Sequence, residues 1–140
     1  MYYFAIVLTV VSNVIYHIFQ KLTPTQVNPM LALAVAYIFA ALVSLLMLPL
    51  FPLQAGLVSE LRQVNWASIG LGASIVGLEL GFLLAYRLGW DITLAALVSN
   101  VSVALILIPI GLALFREHLS AVNVTGLVVC LIGLVLVNWK

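Results

Sequence analysis

Five long and almost uncharged apolar stretches constrain the fold of this chain more than any other feature of its sequence. They cover residues 2–20, 30–51, 66–86, 93–115 and 121–138. As a helix rising about 1.5 Å per residue, each is long enough to cross about 30 Å of hydrocarbon. Lipid cannot satisfy the hydrogen bonds of a bare backbone, so every spanning segment must be helical. The sequence therefore predicts an all-α membrane protein, with five transmembrane helices in one domain over residues 1–140.

The composition agrees with a chain that lies almost entirely in the membrane. Hydrophobic residues make up 66% of the sequence and charged residues 6%, which leaves no room for a soluble domain. Five basic residues and a net charge of +1 provide no basic patch, so nucleic acid is not an expected partner. The single Cys130 provides neither an intrachain disulfide nor a cysteine metal site. Without a metal-ligand cluster or an activated nucleophile, we expect no cofactor, no metal and no enzymatic activity.

The connections between the stretches predict how the helices follow one another. The longest, residues 53–64, repeats apolar residues around Glu60 and Arg62, which favours a short interfacial helix, with a plain loop as the alternative. The turns at 88–91 and 116–120 are short enough to make spans three, four and five antiparallel neighbours. We therefore expect one helical bundle whose termini lie on opposite sides of the membrane.

Basic residues are divided almost evenly between the two sides of this topology. Arg62 and Arg116 fall on the side of the N-terminus, and Lys21, Arg87 and Lys140 fall on the other side. An excess of Lys and Arg normally fixes the orientation of a membrane protein, so this near balance leaves two possibilities open. Either other features fix one orientation, or the chain inserts in both orientations, which would permit an antiparallel dimer.

Glu79 lies near the middle of the third apolar stretch, with no other charge between Trp66 and Tyr86. A carboxylate at this depth costs roughly 2.5–3.5 kcal/mol or more on insertion scales, so it usually faces a cavity and has a function. In a partly dry cavity, a proton and a cationic substrate compete for such a group, which couples the movement of one to the other. This residue is the main reason to predict transport.

The third span has two faces of different character. Successive residues turn by about 100° in a helix, so Glu79 shares one face with Leu83 and Tyr86. The opposite face has a small residue at every fourth position, which lets another helix approach closely. This small-residue face consists of Ala73, Gly77, Gly81 and Ala85. The sequence predicts that the small-residue face packs against another helix while the other face presents the acid.

Span one carries a row of polar residues along one side. Thr9, Asn13, Tyr16 and Gln20 follow 4-3-4 spacing, and His17 lies next to the row, where a headgroup or a backbone carbonyl is its expected partner. Such a row either lines a cavity or holds helices together, at roughly 0.6 kcal/mol for each residue in the second case. We predict that a substrate or proton site contains Asn13, Tyr16, Glu79 and Tyr86, with Thr9, Tyr37, Arg87 and Asn100 as secondary candidates.

The last third of the chain carries motifs of a known family. An acidic residue, Glu117, and the pair Leu119 and Ser120 follow the fourth span, and Gly126 and Gly133 lie seven residues apart in the fifth. This run resembles the repeat unit of the EamA type in the drug/metabolite transporter superfamily. The two glycines are also similar to those of the dimer-forming helix in the small multidrug resistance proteins of the same superfamily.

The resemblance implies an assembly as well as a function. Most EamA-type transporters join two five-span repeats of opposite orientation, whereas this chain resembles one repeat. A second, inverted copy or a separate half-size partner would then complete a ten-helix carrier. Small multidrug resistance proteins have a glutamate in their first span, where this chain has Asn13, so that role does not transfer to Glu79.

Taken with the buried acid, these features predict a proton-coupled secondary transporter of small organic metabolites or cations, working by alternating access in an antiparallel homodimer. One alternative is half of a heterodimeric carrier or flippase for an uncharged, anionic or lipid-linked substrate. Another is a non-transporting membrane assembly or accessory subunit, in which polar residues only fix helix register. The expected partners are the lipid bilayer, a second subunit and a small-molecule substrate, and the short loops suit a prokaryotic inner membrane.

Overall fold

A computed structural model describes residues 2–116 and 120–138 of the chain. All regular secondary structure in these residues is helical, which confirms the all-α prediction for this part of the chain. Glu117 and Leu119 of the family motif and the terminal Lys140 lie outside the described residues.

Six α-helices follow one another along the described chain. They are α1 (Tyr2–Leu22), α2 (Pro29–Met47), α3 (Leu57–Gln63), α4 (Trp66–Arg87), α5 (Ile92–Leu114) and α6 (Ala121–Asn138). A short 3-10 helix, Leu48–Leu50, continues directly from α2. Within the segment 53–64, where an interfacial helix was one of two expectations, the structure has the two-turn helix α3.

Four helices of the described residues are long and apolar enough to cross a membrane, which indicates an integral membrane protein. They are Tyr3–Leu22, Pro29–Leu50, Trp66–Arg87 and Ile92–Leu114. The apolar stretch of α6, Ala121–Val137, is shorter than these four. A fifth span and a ten-helix dimer therefore stay predictions.

Capping residues explain where α2 and α4 begin. The side-chain Oδ1 of Asn28 accepts a hydrogen bond of 2.9 Å from the backbone N–H of Met30, and Pro29 occupies the first turn, where its missing N–H is not needed. Asn65 caps α4 in the same way, accepting a bond of 2.9 Å from the N–H of Ala67. These local signals fix the start of two helices that carry the candidate site.

The chain divides into two compact units, Met1–Leu88 and Gly89–Lys140. In the first unit α4 packs against both α1 and α2, and in the second unit α5 packs against α6. Among the described side chains, Leu83 of α4 is the most deeply buried at 1% exposure, followed by Leu33 of α2 at 4%. The first unit therefore has its core along α4, while a single domain over residues 1–140 stays a prediction.

Candidate substrate site

A cavity of about 300 Å³ lies between α1 and α2 in the first unit, with α4 along one side. Its lining consists of Tyr16, Phe19, Gln20 and Thr23 from α1, Ala32, Leu33, Ala36, Tyr37 and Ala40 from α2, and Glu79 and Leu83 from α4. We refer to it as the α1–α2 cavity. Its volume lies at the lower end of the range of small-molecule sites, roughly 300–1,000 Å³, so it suits a small ligand.

Small residues on α2 make room for the cavity. Ala32, Ala36 and Ala40 recur at every fourth position and therefore lie along one side of the helix. Larger side chains at these positions would fill the space between α1 and α2. The sequence shows the same four-residue spacing of small residues that we noted on α4, and this signal could have indicated the cavity wall.

Glu79 is half-buried and is the one charged residue among the described lining residues. It precedes Arg87, the last residue of α4, by eight positions, which is roughly 12 Å along a helix that rises about 1.5 Å per residue. Its carboxyl group therefore lies well inside the span. An acid held at this depth beside open space can exchange a proton or a cation with the cavity.

Gln20 ties α1 to the turn of α4 that carries Glu79. Its side-chain amide donates one hydrogen bond of 3.1 Å to the hydroxyl of Tyr16 and another of 3.4 Å to the backbone carbonyl of Glu79. Gln20 itself is only 8% exposed, so little of this contact is open to solvent or lipid. The polar row on α1 included Gln20, but its bond to a backbone carbonyl cannot be read from the sequence.

Tyr37 brings a hydroxyl group to the same cavity from α2. This hydroxyl and the carboxyl group of Glu79 are close enough to interact electrostatically. However, the Tyr37 hydroxyl is buried and makes no hydrogen bond of acceptable length and angle with any described residue. Tyr37 therefore belongs to the candidate site, where its hydroxyl lies next to the Glu79 carboxyl group.

Tyr86 lies beside the cavity lining and bonds to α1. Its hydroxyl and the Nδ1 atom of His17 are 2.8 Å apart in a buried hydrogen bond. The ring of Phe82 packs edge-on against His17 at 4.7 Å between centroids, and the ammonium group of Lys21 lies 5.4 Å from the centre of the Tyr86 ring. The partner of His17 is thus a side chain rather than the expected headgroup or carbonyl. This aromatic cluster fastens α4 to α1.

Arg87 fastens the end of α4 to the loop between α1 and α2. Its Nη2 donates hydrogen bonds to the backbone carbonyls of Pro24 (3.0 Å) and Val27 (2.8 Å). Charged donors form strong hydrogen bonds with carbonyl acceptors, so this contact helps hold α1 and α2 in place around the cavity. The guanidinium group therefore holds this loop in place, and its part in a substrate site stays a prediction.

The remaining predicted site residues lie elsewhere. Asn13 and Thr9 are exposed on α1 and are not part of the cavity lining, and the Thr9 hydroxyl donates to the carbonyl of Ala5 in its own helix (3.0 Å). Asn100 is exposed on α5, in the second unit. Three of the eight predicted residues thus meet at the cavity, and two more hold the helices that form it.

The small-residue face of α4 is open within the first unit. Apart from the adjoining residues and the backbone of α4 itself, no described atom of this unit lies within 4 Å of a Cβ placed at Gly77 or Gly81. Ala73 is exposed, whereas Ala85 at the end of this face is half-buried. Gly126 and Gly133 of α6 likewise have open space around the Cβ position within their own unit. The packing role predicted for these residues stays a prediction, and a partner helix could reach them.

Any functional conclusion for this chain rests on the geometry of the candidate site, because comparison with known proteins found no match. No family model, curated protein or solved structure matches this chain. The likeness to EamA-type repeats therefore stays a resemblance in the quoted motif residues. The long apolar helices indicate an integral membrane protein, and its first unit holds a small cavity with one carboxyl group among the described lining residues.

Proposed function

We propose that this protein is a secondary active transporter that exchanges protons for small organic cations or amphipathic metabolites. The observation that carries the proposal is the half-buried Glu79 carboxyl group on the wall of the α1–α2 cavity. Intramembrane acids that face a cavity commonly mark ion and substrate pathways. A purely structural acid would have no need of an adjacent space that can hold a small molecule.

The lining of the cavity suits an organic cation. The Glu79 carboxylate supplies the opposite charge, and the rings of Tyr16, Phe19 and Tyr37 supply aromatic faces that attract cations. The alanine and leucine side chains offer apolar surface to the rest of such a ligand. Electrostatic attraction is stronger in this low-dielectric setting than in water, so a single carboxylate can dominate ligand choice.

Competition at Glu79 would couple the two fluxes. A protonated, neutral Glu79 has no charge with which to bind a cation, and a cation bound to the carboxylate excludes the proton. Alternating access would then expose the cavity to one side of the membrane at a time, through rocking of two inverted subunits. The open small-residue face of α4 supports such an association, because small residues let helices from two subunits approach closely. A half-size partner of opposite orientation could use the same surface.

The decisive experiment compares Glu79→Gln with wild-type protein in proteoliposomes that contain a pH-sensitive dye. We expect wild-type protein to release protons when small alkylammonium ions are added on the opposite side, and Glu79→Gln to lose this coupled flux. Glu60→Gln is the matched control, since Glu60 lies in α3, outside the cavity lining. Its Oε1 accepts bonds from the N–H groups of Gln54 (2.7 Å) and Ala55 (3.2 Å), which a glutamine oxygen can also accept.

Two results would contradict the proposal. Full proton-coupled flux in Glu79→Gln would remove this residue from the mechanism. The absence of flux from folded wild-type protein with every cation tested would favour a non-transporting assembly subunit.

A further inference from the structure

The α1–α2 cavity is elongated along the helices that form it. On α2 its lining runs from Ala32 to Ala40, a separation of eight positions, or roughly 12 Å at a rise of about 1.5 Å per residue. On α1 it runs from Tyr16 to Thr23, or roughly 10 Å. A cavity of about 300 Å³ that extends over this length is narrow. It therefore suits a chain-like ligand better than a bulky one.

The Glu79 carboxyl group does not lie at the middle of this length. It interacts electrostatically with Tyr37 of α2, which places it level with that residue. From Tyr37, the lining of α2 continues three positions to Ala40 and five positions to Ala32, roughly 4.5 Å and 7.5 Å. Ala32 lies at the end of the first turn of α2, next to the loop that joins α1 and α2. The larger share of the cavity therefore extends from Glu79 toward this loop.

The wall on the loop side of Glu79 offers mainly apolar surface to a ligand. The ring of Phe19 is accessible, since Phe19 is 66% exposed, and Ala32 is half-buried. The Thr23 hydroxyl already donates a hydrogen bond of 3.0 Å to the backbone carbonyl of Phe19, and the Gln20 amide donates its two bonds within the protein. An alkyl chain therefore suits this wall better than a polar chain, whose groups would find few partners.

Two basic residues decide the direction in which an amine lies. Lys21 and Arg87 are in the last turns of α1 and α4, and Arg87 bonds to the loop itself. Their positive charges disfavour a further cation at the loop end of the cavity. The ammonium group is therefore favoured at Glu79, with the alkyl chain directed toward the loop.

We propose that the α1–α2 cavity selects alkylammonium ions by chain length, with the ammonium group at Glu79 and the chain extending along α2 to Ala32. Ala32 is the specificity-determining residue, because its small side chain sets where the ligand chain must end. An extended chain advances roughly 1.3 Å per carbon, given C–C bonds of about 1.5 Å, so the available length holds about five or six carbons. This inference rests on the proposed function, since it assigns the substrate class of the same cavity.

A series of straight-chain amines, from propylamine to octylamine, tests this inference on the full chain in lipid nanodiscs. Dissociation constants are measured by isothermal titration calorimetry at neutral pH, where every member is protonated. The heat of the same titration with Glu79→Gln is subtracted, which removes partitioning into lipid. Each methylene should tighten binding to wild-type protein roughly fourfold up to about five or six carbons, and further methylenes should add less than about 1.5-fold.

Variants on α2 test the assignment of Ala32. In Ala32→Leu the break in the series should come about two or three carbons earlier, because the larger side chain fills the end of the cavity, while propylamine binding changes by less than about twofold. A merely structural role would weaken every amine by the same factor. Ala32→Val should move the break by about one carbon, and it replaces the leucine variant if that does not fold. Ala34→Leu is the matched control, since Ala34 is exposed on α2 and is not among the described lining residues, and it should keep the wild-type break.

The other outcomes separate this inference from the proposed function. A steady gain up to octylamine, or no gain with chain length, overturns the inference from wild-type protein alone. A break that stays in place in the Ala32 variants, or that moves equally in Ala34→Leu, also overturns it. Each of these results leaves the proposed function standing. Failure of every amine to bind wild-type protein, or equal binding by Glu79→Gln, contradicts the proposed function itself.

Discussion

The two faces of α4 differ in what covers them. The face of Glu79, Leu83 and Tyr86 packs against α1 and α2, and it also lines the cavity. The small-residue face, with Gly77 and Gly81, is open within the first unit. The sequence predicts a simpler division, in which the small-residue face packs and the opposite face presents the acid. In the structure, one face combines close packing with the candidate site.

Polar contacts explain why this face is the covered one. Lipid is as apolar as a leucine side chain, so burial of apolar surface does not decide which face of a membrane helix is covered. Hydrogen bonds between side chains and backbone do favour one arrangement. Gln20 bonds to the Glu79 carbonyl, His17 to Tyr86, and Arg87 to the loop before α2. The small-residue face offers no such groups and depends on close approach alone.

Leucine truncation on α4 gives the largest expected contrast in stability. Leu83 is 1% exposed, whereas Leu78 is 55% exposed. Leu83→Ala should lower the free energy of unfolding by about 1–3 kcal/mol, because it leaves a cavity, although the transfer part of the usual cost is small in lipid. Leu78→Ala should change it by less than about 0.5 kcal/mol. Unfolding by sodium dodecyl sulfate in mixed micelles, followed by circular dichroism, measures both values. Equal losses would mean that α1 and α2 do not cover one face preferentially.

The second contrast is between the hydroxyls of Tyr86 and Tyr37, of which only the first makes a hydrogen bond of good geometry. Tyr86→Phe removes the partner of the buried His17 Nδ1 and should cost about 1–2 kcal/mol in the same unfolding assay. Tyr37→Phe should cost less, since the Tyr37 hydroxyl lies next to the Glu79 carboxyl group but makes no hydrogen bond of good geometry within the described chain. Adding His17→Phe to Tyr86→Phe should recover part of the loss, because no unpaired polar atom then remains. A loss from Tyr37→Phe as large as that from Tyr86→Phe would show that its hydroxyl is paired.

Local chemistry made much of the fold predictable. Uninterrupted apolar stretches gave the long helices to within a few residues, and Pro29 marked the start of α2. Glu79 could be found as a candidate site residue because a charge in an apolar stretch is visible in the sequence without knowledge of the fold. The 4-3-4 row on α1 predicts Tyr16, and polarity within an apolar span predicts Tyr37, but neither signal tells which polar residues share a cavity.

The rest depended on which helices meet. The bonds from Gln20 and Arg87 go to backbone carbonyls, which every residue possesses, so no side chain in the sequence marks the acceptor. Asn13 and Thr9 lie on the same polar row as Tyr16, yet the described cavity lining begins only at Tyr16. Only the position of α2 relative to α1 decides how far along that row the cavity reaches.

A substitution on the small-residue face of α4 has the smallest expected effect on the free energy of unfolding. Its effect on the association of two copies should be larger and can be measured separately. Gly81→Leu places a side chain where the first unit has nothing within 4 Å of the Cβ position, so unfolding should change by less than about 0.5 kcal/mol. If two copies associate through this face, the leucine should weaken association at least roughly tenfold, or about 1.4 kcal/mol.

Gly72→Leu is the matched control, since Gly72 also has open space but lies on the opposite face. Energy transfer between copies labelled at the exposed Cys130, diluted in lipid vesicles, measures the association. Equal effects of the two leucines would exclude the small-residue face as the surface on which a second subunit completes the carrier.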